Sequence, residues 1–311
     1  MEALFIGQAY IDVTFLADEI PTGDEKAVAR DYAISFGGNA VTAAFACAKL
    51  GIAPDLLASV ADDWLGRMFI DMAAKYGISV HHRKVRESSL SFIMPHGGQR
   101  AIVRCRDDDY LHPFPPLNLG RCRALHLDGH QGDAAIHYAK ACREAGILTS
   151  LDGGGLRANT HELLAFIDVA VVAERLCEQM DLSPAGMLTY LKERGCRVGG
   201  VTLGHRGMLW YDEDGREQHL PALDVPETLV VDTNGAGDIF HGAYVHSAIA
   251  RPQASWQEHF TFARAASAYS VQHLGNEASL PTLSDIADTQ ERFREKAREP
   301  RLGERGRVSA G

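Results

Sequence analysis

Short apolar runs and longer helical stretches alternate along most of this chain, and that order leaves few folds open. Ala3 to Gly7 reads as a strand, Asn39 to Leu50 as an apolar helix closed by Gly51, Pro54 to Val60 as a strand, and Trp64 to Tyr76 as a helix stopped by Gly77. The alternation resumes after Arg123, with strands at Ala124 to Leu127, Ile147 to Leu151, Ile167 to Val172 and Val198 to Leu203. Helices at Asp133 to Ala145 and Pro184 to Arg194 separate them. Alternating units predict an α/β fold with a mostly parallel central sheet and helices on both faces.

Ile78 to Arg106 breaks the pattern. Ser89 to Met94 and Arg100 to Cys105 flank His96-Gly97-Gly98, a hairpin signal. Parts of 11–36 and 88–106 are therefore expected to form a small separate β-sheet, a lid on a single domain spanning 1–297. Met208 to Tyr211 and Glu217 to Leu220 read as a second hairpin, ahead of long helices at Ala236 to Ala250 and Trp256 to His273. One more helix follows Pro281, and the charged tail 298–311 is expected to pack poorly.

Composition excludes several classes. Lys and Arg total 31 against 41 Asp and Glu, a net charge of -10, and no dense basic run exists to follow a line of phosphates, so nucleic acid is not an expected partner. No apolar stretch is long enough to cross a bilayer and no basic, apolar leader opens the chain, which predicts a cytoplasmic protein without a membrane partner. The 6 cysteines are scattered without a CxxC pair and are expected to be free thiols.

The most specific local feature is Val230-Val231-Asp232-Thr233-Asn234-Gly235-Ala236-Gly237-Asp238, read as a strand end, a glycine-rich turn and a helix start. A helix N-terminus carries unsatisfied N–H donors and a positive partial charge, and glycines let that backbone approach an anion. Asp238 would then lie beside a bound phosphate, although an Asp at a helix start is more often a plain cap. Neither a GxxxxGK[ST] loop nor a GxGxxG after the first strand is present, so this anion site is of another kind.

Asp232 to Asp238 resembles the DTxGAGD signature of the ribokinase-like (PfkB) carbohydrate kinase family. Gly37-Gly38-Asn39-Ala40-Val41-Thr42 resembles that family's sugar-contacting glycine motif, with Asp12 upstream where the family keeps a substrate-orienting acid. Val201-Thr202-Leu203-Gly204-His205-Arg206-Gly207 resembles its nucleotide-side motif, and Gly275 to Pro281 resembles its usual ending.

The resemblance implies an ATP- and Mg²⁺-dependent sugar kinase. Asp238 would be the catalytic base, and the Gly235-Ala236-Gly237 amides would form the anion hole. Asp12, Gly38, Asn39 and Thr42 would hold the sugar, while Thr202, Gly204, Gly207, Gly235, Gly237 and Asn276 would line the nucleotide side. The family's magnesium-associated NxxE is missing, since Ala173-Glu174-Arg175-Leu176 stands there, which leaves Asp232 and Glu174 as metal candidates.

Thr42 in place of the more usual Asn, together with Glu25 to Arg30 and Asp238 to Ala243, resembles the sulfofructose kinase branch. His130 stands where that branch would carry a sulfonate-binding arginine. An anionic acceptor, sensed by Arg104 and Lys26, is one expectation, with His130 pointing equally to a neutral ketose. A nucleoside kinase and a non-catalytic sugar- or nucleotide-binding regulator are the alternatives on the same fold, and the lid sheet is where a homodimer would form.

Overall fold

The computed structural model describes residues 1–96 and 99–295. The expected turn at Gly97-Gly98 and the tail 298–311 lie outside the described residues. The chain runs through β1 (Ala3–Gly7), β2 (Tyr10–Leu16), β3 (Asp31–Gly37), α1 (Asn39–Lys49), β4 (Pro54–Val60), α2 (Trp64–Lys75) and β5 (Ser79–Lys84). Next come β6 (Leu90–His96), β7 (Gln99–Cys105), β8 (Ala124–Leu127), α3 (Gly132–Glu144), β9 (Leu148–Gly153), the short α4 (Thr160–Leu163) and β10 (Val169–Ala173). Then follow α5 (Glu174–Gln179), α6 (Pro184–Glu193), β11 (Val198–Thr202), β12 (Met208–Tyr211), β13 (Glu217–Leu220), α7 (Ala236–Ala250), α8 (Trp256–Ser270) and α9 (Leu283–Arg292).

A 9-stranded sheet has the order β13-β12-β11-β10-β9-β8-β1-β4-β5. Its strands pair in parallel from β11 to β5, and the β12–β13 hairpin adds an antiparallel edge. The two-residue period of β1 explains its double burial. Ala3 and Phe5 pack into the core beneath α1, α7 and α8, while Leu4 and Ile6 enter the core beneath α3 and α6.

A separate 4-stranded sheet, β3-β2-β6-β7, forms the expected lid. Its register sorts residues by face. Asp12 lies opposite Ser35 and Ser91, and Ser91 opposite Arg104, so one row is polar. The neighbouring row, Ile34, Val13, Phe92 and Val103, points the other way and leaves Phe92 and Val103 exposed.

Boundaries shift from the sequence reading by one to three residues, with one substantive correction. Val230-Val231 is not a strand: residues 227–229 form a 3-10 turn, and Val231 N–H donates to Val271 O. The segment ahead of the glycine turn is pinned to the end of α8 instead of joining a sheet. The 6 cysteines are free, and all but Cys105 are buried. No helix among the described residues is long and apolar enough to cross a membrane.

Helices α1 and α7 pack so closely that a Cβ on Gly242 would lie 2.3 Å from the Ala43 carbonyl oxygen. That contact sets the spacing between the two helices whose N-termini carry the sugar and base motifs. Gly242→Ala is expected to force them apart and to cost about 1–3 kcal/mol through overpacking. Chemical denaturation checks this, and unchanged stability would show that the spacing is adjustable.

Candidate active site

The glycine turn is built by its first acid. Asp232 is buried, its Oδ1 accepts from Asn234 N–H at 2.8 Å and its Oδ2 from Gly275 N–H at 3.2 Å. Both oxygens thus shape the loop. Gly235 caps α7 with φ of 73°, a conformation that disfavours a Cβ, and a side chain there would also meet Asn276 Oδ1 at 2.3 Å. Gly237 in the first turn is exposed, and nothing lies within 4 Å of the place its Cβ would occupy. The open side of this turn leaves room for an anion against the helix end.

Asp238 follows, half-buried in the same turn. Burial raises its pKa, the Asp152 charge raises it further, and Asp12 and Asp128 act in the same sense. Arg100 opposes them; its Nη1 donates to Thr233 O at 3.3 Å and to Thr233 Oγ1 at 3.2 Å, tying the lid to the turn.

Asp12 lies on the polar face of the lid, 4% exposed. Its Oδ2 accepts from Asn276 Nδ2 at 3.1 Å and Asn234 Nδ2 at 3.4 Å. Burial pushes its pKa up to about 6, although Ser91, Arg104 and the two amides pull the other way. Asn276 also donates to Phe36 O at 2.8 Å, and its Oδ1 accepts from Asn234 Nδ2 at 3.4 Å. The Asn276 amide thus joins the lid acid to the glycine turn.

Gly38 precedes α1 with φ of 105°, and a Cβ there would strike Gln8 O at 2.0 Å. Asn39 opens α1 and donates through Nδ2 to Asp152 Oδ2 at 2.9 Å. Thr42 is fully buried with no hydrogen-bond partner on Oγ1, and its methyl lies beneath Gly235.

Two acids missed in the sequence reading complete the cluster. Asp128, just beyond β8, accepts from Ala40 N–H at 3.3 Å and His130 N–H at 2.9 Å, and His130 Nδ1 stands 3.1 Å from it. Burial alone would raise its pKa, but His130, Arg157 and the hydrogen bonds hold it down at about 2. Arg157 Nε donates to Asp128 O at 2.9 Å. Asp152 near the end of β9 is buried and its pKa raised, chiefly by burial. Each is a strand-end acid followed by glycine, at the carboxyl end of a parallel strand where α/β sheets place their sites. That was the available signal.

Arg104 is exposed over the Tyr10 ring, 5.4 Å from its centroid. Lys26 is exposed in the irregular stretch between β2 and β3, and among the described residues no hydrogen bond or ion pair ties it to the others. On the other side of the turn, Thr202 ends β11 with Oγ1 3.4 Å from Val172 O. Gly204 is exposed, and Gly207 packs against the backbone of Leu220 and Ala222. Glu174 at the start of α5 is paired with Arg206 at 2.6 Å, and no group of three or more potential metal-binding His, Cys, Asp or Glu exists among the described residues.

Acids on a lid and at strand ends, meeting an anion-accepting helix end, define a phosphotransferase acting on a small hydroxylated substrate. The model of the pfkB family carbohydrate kinases matches residues 2–283, and the chain belongs to that family; it is a carbohydrate kinase. It is 24% identical over 301 residues to a ribokinase of Lactococcus lactis, covering 90% of this chain and 94% of that protein. To a deoxyribokinase of Salmonella typhi it is 25% identical over 306 residues, covering 92% and 97%. Among solved structures, an Arabidopsis thaliana ribokinase complexed with ribose and ATP superposes with a TM-score of 0.76 at 21% identity, covering 92% and 97% of the two chains. A Thermotoga maritima ribokinase gives 0.76 at 20%, covering 93% and 99%.

The raised pKa of Asp12 has a sign that can be checked. Its folded-state value of about 6 exceeds the ordinary 3.8, so the folded protein binds the extra proton and loses stability as pH rises from about 4 to 6. Asp12→Asn is expected to stabilise the fold at pH 7.5 by about 1–3 kcal/mol, with the gain vanishing near pH 4. Denaturation at both pH values measures it, and a gain independent of pH would remove the titration from the account.

Proposed function

We propose that the protein transfers the terminal phosphoryl group of ATP to a hydroxyl of a sugar or sugar derivative, with Asp238 as general base. The observation that carries this reading is Asp238 itself: a half-buried carboxylate of raised pKa in the open first turn of α7. ATP would supply the phosphoryl group and Mg²⁺ the neutralisation of its charge.

The chain's own groups do the remaining work. The Gly235, Ala236 and Gly237 amides offer donors where charge develops on the transferred group. Asp238 takes the proton of the attacking hydroxyl, and Asp12, Asn39, Asp128 and His130 bind and orient the polyol. Thr202, Gly204 and Gly207 line the nucleotide side, where Glu174 and Asp232 would be the carboxylates nearest to hold the ion's hydration shell. The exposed outer row of the lid, around Phe92 and Val103, is the face through which two copies would pair.

Asp238→Asn is expected to lose about 10²–10⁴-fold in kcat while binding ATP within a few-fold of wild type. Coupled-assay kinetics and calorimetry measure the two. Wild-type turnover by the purified variant would end the assignment.

Arg104 favours a second reading, in which the acceptor carries an anionic substituent as in the sulfofructose kinase branch. It stands in the same row as Asp12 and is exposed, so a planar fork is available at the edge of the acceptor cluster. Arg104→Ala is then expected to lower kcat/KM about tenfold or more for an acidic sugar and little for its neutral counterpart. Equal losses, or a wild-type preference for the neutral sugar, would exclude the anionic acceptor.

A further inference from the structure

Asp152 has no part in the reaction as derived above, yet its surroundings are built. It is buried near the end of β9, and Oδ2 accepts from Asn39 Nδ2 at 2.9 Å. Oδ1 lies 3.7 Å from Nε2 of His241, nearly one helical turn beyond Asp238 on α7. Gly154 closes in on the same amide, since a Cβ there would stand 2.9 Å from Asn39 Nδ2.

Behind His241 runs a line of short contacts. His241 Nδ1 lies 2.9 Å from Tyr244 OH, Tyr244 OH 2.6 Å from Ser150 Oγ, and Ser150 Oγ 2.9 Å from His126 Nδ1. All four residues are buried, and burial holds both imidazoles neutral, with pKa values lowered to about 3. A neutral imidazole has one N–H, so the line runs in one direction at a time. With Asp152 ionised, His241 turns Nε2–H toward the carboxylate and Tyr244 donates to Nδ1. Ser150 then donates to Tyr244, and His126 to Ser150. The leftover atom is His126 Nε2, which has no partner and is a bare lone pair in this arrangement, less costly to bury than an orphan N–H.

We propose that Asp152 is a positioning residue for the acceptor: it fixes the Asn39 amide at the end of β9, with the neutral His241 of α7 facing its other oxygen at 3.7 Å. The inference rests on Asp238 and Asn39 serving the acceptor. One Asn39 N–H is spent on Asp152, which leaves the second N–H and the carbonyl oxygen for sugar hydroxyls. The same carboxylate acts on the base. Of the charges that face Asp238, Asp152 raises its pKa most, Arg100 from the lid lowers it, and Asp12 and Asp128 raise it. Asp152 in turn is faced by His126, Asp128, Arg157 and His241.

The test is steady-state kinetics of Asp152→Ala, Asp152→Asn, Asn39→Ala and the Asn39→Ala/Asp152→Ala pair. Each is run with MgATP and D-ribose, 2-deoxy-D-ribose or D-fructose, whichever wild type uses best. Asp152→Ala is expected to raise the acceptor KM about tenfold or more and leave the ATP KM within about twofold. Removing the like charge moves the acid limb of kcat/KM to lower pH. Asp152→Asn keeps an oxygen for Asn39 and recovers most of the acceptor KM, but keeps the shifted limb. The pair is expected to be no worse than Asn39→Ala. An unchanged acceptor KM with an unmoved limb, an equal rise in both KM values, or additive losses in the pair would overturn the proposal. Should Asp152→Ala fail to fold, the limb of Asp152→Asn decides. If Asp238→Asn keeps full activity, it is the base reading that falls, and this inference with it.

Discussion

Gly242 of α7 lies against the Ala43 carbonyl of α1 with no room for a methyl group, and the site depends on that backbone contact. Helix α1 begins at Asn39 and α7 at the glycine turn, so the spacing of the two helices fixes the distance between the groups proposed to hold the acceptor and to take its proton. Phosphoryl transfer asks little covalent chemistry of a protein and much positioning, since attacking and leaving oxygens must be in line. Two helices locked through a glycine meet that need in the scaffold itself. The polar contacts around Asp12, Asn234 and Asn276 then join the lid sheet to the same turn.

The cluster is costly to fold around. Asp12, Asp128, Asp152 and Asp238 are buried or half-buried near one another, and three of them hold their protons above the usual carboxylate range. Only Asp128 is pulled down, by His130 and Arg157. A carboxyl held above its usual range is a stronger base once ionised, and of the three only Asp238 stands in the open first turn of α7.

The large sheet and the glycine turn were legible because their signals are local. A two-residue strand period, a glycine at a helix end and an acid in a first helical turn can each be read without knowing what packs against them. Asp128 and Asp152 were not legible in that way, since each is a single acid in a short loop-like context and acquires meaning only where β8 and β9 lie side by side against α1 and α7. Asn276 and Thr42 show the complementary case. Their motifs were recognised, but whether an amide faces nucleotide or lid, and whether a hydroxyl faces sugar or core, is decided by tertiary packing. Val230-Val231 reads as β-branched strand and is instead captured by the end of α8.

The central claim is that Asp238 takes a proton from the acceptor and never carries the phosphoryl group itself. A carboxylate beside an anion hole could alternatively act as nucleophile and pass the group on in a second displacement. The stereochemistry at phosphorus separates the two. With ATP made chiral at the γ-phosphorus by sulfur and oxygen isotopes, a single in-line transfer predicts inversion of configuration in the sugar phosphate. Retention would contradict the account, because it requires two displacements and a phosphorylated enzyme between them.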